Sequence, residues 1–180
     1  MSELKNTRII FLLSIVLIGA LSRLIPHPFN FTGIAAIALF SGAKLKNRFL
    51  AVSVPLLAML VTDSIIGFHA PIDMLAVYGC FLMTVVFGMA LSHNPKAGFV
   101  ALSSLASSVL FYLVTNFSVW PGNALYSQDL SGLISSYIAG IPFFRNQVLG
   151  DLFYSAVFFS AAYFAEKKYA TDLTTVKARK

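Results

Sequence analysis

The sequence contains few charged residues and a single cysteine. Asp, Glu, Lys and Arg make up only 11% of the 180 residues, against about 25% in an ordinary globular chain, whereas 58% are hydrophobic. A soluble domain of this length cannot bury so large an apolar fraction, so a soluble enzyme, a disordered tail and a nucleic-acid-binding module are excluded. The lone Cys80 excludes an intrachain disulfide and a multi-cysteine zinc site. The patterns G-x-x-x-x-G-K-S/T and H-E-x-x-H are also missing, which removes any recognisable ATPase or metalloprotease.

Long apolar segments take the place of charge and predict an all-α, polytopic membrane protein. A spanning helix needs about 20 mostly apolar residues. We predict one transmembrane domain over residues 1–180, with six spans at about 8–24, 31–43, 49–63, 74–91, 98–120 and 147–165. The second and third spans are undersized, and Pro55 is expected to break the third. A further apolar stretch, residues 130–144, contains Gly140 and Pro142, and we expect a surface helix or a re-entrant segment there. Residues 8–24 share features with a signal peptide, but the five later segments favour an uncleaved first helix.

The basic residues predict the orientation of these spans. With six spans and both termini in the cytoplasm, eleven of the thirteen Lys and Arg residues lie inside, and only Arg23 and Arg145 lie outside. This asymmetry follows the positive-inside rule. The net charge of +6 is therefore interpreted as an orientation signal and a cytoplasmic surface, not as a nucleic-acid site.

Four ionisable residues lie at a similar depth near the predicted outer interface: Arg23, Asp63, Arg145 and Asp151. Charges inside a membrane are costly and mark candidate functional sites. One interpretation is two ion pairs that tie helix ends together. The other is a polar rim around an outward-facing cavity, capped by residues 121–146.

Further candidates come from the outer connections and the outer ends of the spans. His27 is held between two prolines, and His69 lies on the neighbouring outer connection. Metal binding by His27, His69 and Asp63 is an alternative that their spacing does not require. Cys80, about six residues into the fourth span, is either an apolar filler or a soft ligand on the cavity floor. The predicted substrate-binding residues are His27, Asn30, Asp63, His69, Tyr78, Cys80, Asn116, Arg145 and Asp151.

Several strings resemble a known group of membrane proteins. They are RLIPHPFNFT at 23–32, ALFSGA at 38–43, TDSIIGFH at 62–69 and IPFFRNQVLGD at 141–151. Over about residues 9–165 the chain resembles a bacterial six-span family that is similar to the substrate-binding S-components of energy-coupling-factor vitamin transporters. The resemblance implies an S-component-like helical bundle, a vitamin as substrate, and an energising membrane and ATPase module as partner.

The same resemblance extends to solitary S-component-like proteins that take up cobalamin. It implies cobalamin as substrate rather than as an intrinsic cofactor, with Cys80 as the ligand to its cobalt. The first span lacks the Ala-x-x-x-Ala signature of typical S-components, which favours a solitary protein. We therefore expect a non-enzymatic protein that lies in the lipid bilayer and takes up a small organic molecule from outside. The alternatives are a structural or regulatory membrane subunit without a ligand, and a membrane enzyme that uses Asp63, His69 and Asp151.

Overall fold

A computed structural model of the protein describes residues 14–91 and 95–178. These residues form six helices in an all-α bundle. The first helix, α1, is described over residues 14–21, and the start of the first predicted span, residues 8–13, lies outside the described residues. The other helices are α2 (Ile34–Lys44), α3 (Arg48–Ile66), α4 (Pro71–Ala90), α5 (Ala97–Ser118) and α6 (Leu130–Ala178).

Local sequence signals explain where three of the helices begin. The Asn47 side chain caps α3 by accepting a hydrogen bond from the backbone N–H three residues later. Pro71 occupies the first turn of α4, where its missing N–H costs nothing. Asp129 precedes α6, and its carboxylate accepts bonds from the Gly132 backbone N–H and from two serine hydroxyls. These bonds lower the pKa of Asp129 to about 2.

Four helices are long and apolar enough to cross a membrane. They are α3, α4, α5 and the Leu130–Lys168 part of α6. Only 22–33% of the residues in their most apolar windows are buried inside the protein, so most of their apolar side chains face outward. Lipid is the environment that makes such exposure favourable. The protein is therefore a membrane protein with at least four helices of spanning length.

The second predicted span, residues 31–43, is a short central helix. α2 has 11 residues, which is about 16 Å at 1.5 Å per residue, or roughly half of the about 30 Å hydrocarbon core. All of its residues except Ala43 are buried, and it contacts α3, α4, α5 and α6. A helix that is apolar on every side belongs in an interior. The prediction of a lipid-crossing second span is therefore not met, because α2 is enclosed by protein.

Two glycines allow α2 to lie very close to α4. A Cβ atom built on Gly42 would overlap the backbone of α4, and one built on Gly88 would overlap the backbone of α2. Small residues at a crossing let helix backbones approach closely in lipid, where packing replaces the hydrophobic effect. This crossing holds the central helix directly against α4.

The prediction that Pro55 breaks the third span is wrong, because α3 continues through it from Arg48 to Ile66. Proline has no N–H, so it cannot bond the carbonyl of Ala51, four residues earlier. In this protein the hydroxyl of Ser41, on α2, donates a hydrogen bond to that Ala51 carbonyl (2.8 Å). Proline is tolerated in membrane helices when a neighbouring side chain satisfies the freed backbone group.

The apolar stretch 130–144 is not a separate segment, because it forms the first part of α6. The helix runs through Gly140 and Pro142 without interruption. The Tyr112 hydroxyl donates to the Tyr137 carbonyl (2.6 Å), and the Tyr137 hydroxyl donates to the Leu113 carbonyl (2.9 Å). Contact with α5 therefore holds this stretch as a helix, antiparallel to α5.

One end of the bundle carries a group of basic residues. α2 ends there at Lys44, whose Nζ lies 3.0 Å from Glu166 Oε2 on α6. Lys44 is buried, so this ion pair is shielded from solvent on the lysine side. Lys46 and Lys96 lie in the connections at the same end, and Arg48 is the first residue of α3 there.

Candidate functional site

A cavity of about 530 Å³ lies at the opposite end of the bundle, where α2 begins. Ile34 and Ala35, in the first turn of α2, line it together with residues of the 22–33 connection and of α3, α4, α5 and α6. Its walls are partly apolar, with Phe29, Phe81 and Phe111 among them. The polar lining residues are Arg23, His27, Asn30, Thr32, Asp63, His69, Asp73, Tyr78, Thr115, Ser118, Gln147 and Asp151.

Asp63 is held in a buried ion pair. Its Oδ1 lies 2.7 Å from Arg23 Nη1, and its Oδ2 accepts a hydrogen bond from the Tyr78 hydroxyl (2.8 Å). Arg23 also donates to the Thr62 hydroxyl (2.5 Å). The Asp63 side chain is only 3% exposed, so its charge is neutralised by a direct partner, as burial requires. This is one of the two ion pairs considered from the sequence, and it joins the end of α1 to the end of α3.

Asp151 has a different environment, because its hydrogen-bond partners are neutral. It is 2% exposed, and its Oδ2 accepts a hydrogen bond from Ser108 on α5 (2.7 Å). The Gln147 side chain, one turn earlier on α6, also hydrogen-bonds to Asp151. Among the described residues, no Lys, Arg or His forms an ion pair with it. The predicted second ion pair, with Arg145, is therefore not formed.

Two serine hydroxyls lie one turn deeper than Asp151, between α5 and α6. Ser104 is one turn before Ser108, and Ser155 is one turn after Asp151, so the antiparallel helices place them on the same stripe. Both are buried, and neither hydroxyl has a hydrogen-bond partner among the described residues. The polar stripe thus continues from the cavity towards the interior.

The mouth of the cavity carries groups that are more exposed. Asp73, in the first turn of α4, accepts a hydrogen bond from Ser118 at the end of α5 (3.0 Å). The Nδ1 atom of His27 lies 2.6 Å from the Ile25 carbonyl oxygen. Asn30 adopts a positive φ of 63°, which asparagine tolerates better than most residues, and the chain turns there before α2.

The structure brings six of the nine predicted site residues together around the cavity. They are His27, Asn30, Asp63, His69, Tyr78 and Asp151. The predicted cap, residues 121–146, does not contribute to the lining, which includes Val119 and Gln147 on either side of it. Within the described residues, no group of three or more His, Cys, Asp or Glu side chains is placed to hold a metal.

Cys80 is not on the cavity floor, contrary to the sequence-based expectation. It is buried but is not among the lining residues, whereas Val77, Tyr78 and Phe81 are. Cys80 shares its stripe with Thr84 and Gly88, and Gly88 packs against α2.

Asn116 and Arg145 also lie apart from the cavity. The Asn116 amide donates to the Tyr112 carbonyl (2.8 Å), and its side chain packs against α6 at Gly140. Arg145 is exposed on α6, two residues before the lining residue Gln147. A shift of two positions on a helix turns a side chain by about 200°, to the opposite face.

Sequence reasoning missed several residues of the site. Gln147 is spaced i, i+4 from Asp151, which places both on one helix face, and this spacing is a readable signal. Ser108, which lies on α5, donates directly to Asp151 on α6. Asp73 and Ser118 come from two helix ends that only the fold brings together.

The fold and the cavity together define a multi-helix membrane protein with a partly polar cavity at one end of its bundle. The chain belongs to a family of unknown function, DUF6580, whose model matches residues 3–175. No curated protein and no solved structure matches the chain.

Proposed function

We propose that this protein binds a small organic molecule in the cavity and takes part in its transport across the bacterial inner membrane. The observation that carries the proposal is the cavity itself, about 530 Å³ in volume and lined by convergent polar groups within an apolar bundle. Pockets of about 300–1,000 Å³ with mostly apolar walls and a few placed polar groups are typical of small-molecule sites.

The location of the cavity supports uptake from the outer side. The basic residues at 44, 46, 48 and 96 lie at the other end of the bundle, and such residues favour the cytoplasmic face. The cavity would then open outward. Reporter fusions after Arg48 should give a cytoplasmic signal, and a periplasmic signal there would contradict this orientation.

Cobalamin, the ligand implied by the sequence resemblance, is not part of this proposal. The resemblance assigns its cobalt to Cys80, and Cys80 lies outside the cavity lining. A conventional energising module remains compatible with the proposal, because the chain has no nucleotide-binding motif of its own. Uphill transport would therefore take its energy from a partner or from trapping of the molecule inside the cell.

Filling the cavity tests the proposal. Val77 on α4 lines the cavity, whereas Val86 on the same helix is 51% exposed and serves as the matched control. Wild type, Val77→Trp and Val86→Trp are purified in mild detergent, and the small molecules that they retain are measured by mass spectrometry. We expect retention by wild type and Val86→Trp and loss in Val77→Trp. Equal retention by both variants, or none by wild type, would refute the proposal and favour a structural or regulatory subunit.

A further inference from the structure

The charges of the cavity are unbalanced. Its lining contains three aspartates and one arginine, together with the two histidines at the mouth. The arginine is already engaged by Asp63 at 2.7 Å. The described residues provide no ion pair for the other two aspartates, Asp73 and Asp151. With neutral histidines and ionised aspartates, the cavity would carry an excess of negative charge that a cationic ligand could balance.

The deepest of these carboxylates has hydrogen-bond donors but no cationic partner among the described residues. Asp151 is 2% exposed and accepts hydrogen bonds from Ser108 and Gln147. Side chains that donate hydrogen bonds to a carboxylate stabilise its charged form. A buried carboxylate without a cation is costly, and inside a membrane helix that cost is expected to be compensated by a pairing group. The missing positive charge would come from a molecule in the cavity.

Helix dipoles do not supply that charge. α1, α3 and α5 end near the cavity, and α2 and α4 begin there. Helix ends of opposite partial charge therefore alternate around the cavity and largely offset one another.

The walls of the cavity fit an organic cation better than a bare metal ion. Four aromatic residues, Phe29, Tyr78, Phe81 and Phe111, line it, and the rings of Phe81 and Phe111 are 5.6 Å apart between centroids. Aromatic faces attract ammonium groups within about 6 Å, most strongly where water is excluded. A volume of about 530 Å³ with partly apolar walls suits a molecule with an apolar body.

We propose that the cavity binds an organic cation whose positively charged nitrogen pairs with Asp151 while its apolar part contacts the aromatic walls. This inference rests on the proposed function and names the chemical class of its substrate. Ser108 and Gln147 position the Asp151 carboxylate, and the Arg23–Asp63 pair lines the cavity without adding net charge.

The test measures the charge of the retained compound and its dependence on Asp151. Small molecules released from wild type, Asp151→Asn and Asp129→Asn are separated and identified by mass spectrometry. Asp129 is an exposed carboxylate outside the cavity, so Asp129→Asn is the matched control. We expect wild type and the control to retain the same protonated amine or quaternary nitrogen compound. Asp151→Asn should bind it at least about 30-fold more weakly, because truncating one partner of a buried charge pair costs 2–5 kcal/mol or more.

Defined probes give a second readout. Phenethylamine should displace the retained compound from wild type, whereas 2-phenylethanol, which has a hydroxyl in place of the ammonium group, should not. If Asp151→Asn does not unfold cooperatively and is therefore not properly folded, Ser108→Ala serves as the test variant instead. It keeps the Asp151 carboxylate but removes one hydrogen-bond donor to it, and we expect about tenfold weaker binding. A retained neutral or anionic compound, or equal displacement by the alcohol, would refute the proposal that the ligand is a cation. Either result would leave the proposed function unaffected. Retention that is unchanged in both Asp151→Asn and Ser108→Ala would also refute the proposal that the ligand is a cation.

Discussion

Replacing Ser41 with alanine is expected to destabilise the protein through the backbone of a different helix. The Ser41 hydroxyl lies 2.8 Å from the carbonyl oxygen of Ala51, and Pro55 leaves that carbonyl without its usual helical donor. Ser41 is 1% exposed, so water cannot easily replace the lost donor. A buried polar group that loses its partner costs about 1–3 kcal/mol, and we expect Ser41→Ala to lower the free energy of unfolding by that amount.

A double-mutant cycle isolates this effect from simple loss of packing. In a Pro55→Ala background, the new N–H of residue 55 can bond the Ala51 carbonyl within α3. Ser41→Ala should then cost about 1–2 kcal/mol less than in the wild type. The Ser41 hydroxyl also lies 3.0 Å from the Ala38 carbonyl, but that carbonyl retains its helical partner in α2, so this contact should contribute little to the coupling.

Equilibrium unfolding in mixed detergent micelles, followed by far-ultraviolet circular dichroism, measures the four free energies of the cycle. Ser41→Thr retains the hydroxyl and is the control for the polar contact. If Ser41→Ala has the same cost in both backgrounds, the hydroxyl does not satisfy the carbonyl freed by Pro55. The continuity of α3 would then need another explanation.

Three further predictions follow from the same structure. Gly88→Ala should lower stability by about 1–3 kcal/mol because its Cβ would overlap α2. Gly79→Ala, on the same helix with open space around it, should be neutral or stabilising by up to about 1 kcal/mol. A thermal shift of the same sign and size for both variants would contradict the close crossing of α2 and α4. Ser104→Ala should raise the unfolding temperature because its buried hydroxyl lacks a hydrogen-bond partner among the described residues. Ser108→Ala should lower it because the Ser108 hydroxyl donates to Asp151. A lower unfolding temperature for both variants would show that Ser104 has a partner. Hydrogen bonds, chiefly from the Gly132 N–H, lower the pKa of Asp129 to about 2, so its contribution to stability is complete above about pH 4 and is lost as the pH falls towards 2. The difference in unfolding temperature between wild type and Asp129→Asn should therefore shrink across that range. A constant difference would argue against Asp129 as the cap of α6.

The helices that face lipid could be predicted from the sequence more closely than those that face protein. The spans predicted at 74–91 and 98–120 correspond to α4 (Pro71–Ala90) and α5 (Ala97–Ser118), because an apolar run of suitable length is itself the signal. The same signal misreads α2, since an apolar segment looks alike whether lipid or protein surrounds it. Only packing across Gly42 and Gly88 distinguishes the two environments.

The depth of the candidate site residues in the membrane could be predicted from the sequence, but the direction in which their side chains point could not. Ionisable residues near one interface drew attention to Asp63 and Asp151, and both line the cavity. Depth alone could not show that Arg145 and Cys80 point elsewhere, because a helix that is apolar on most faces gives no periodicity from which to read its orientation. Long-range partners such as Ser108 for Asp151 depend on the antiparallel contact of α5 with α6, which no local pattern encodes.

The shortness of α2 has a consequence for how the size of the cavity can change among related sequences. α2 and the connection before it form the inner boundary of the cavity, while longer helices enclose both. The outer helices must match the thickness of the membrane, but an enclosed helix is released from that constraint. Adding or removing a turn at the start of α2 would therefore make the cavity shallower or deeper without altering the lipid-facing surface. Under the proposed function, related sequences are expected to differ in length between positions 24 and 34 more than within α3 or α4, in step with the size of their ligands.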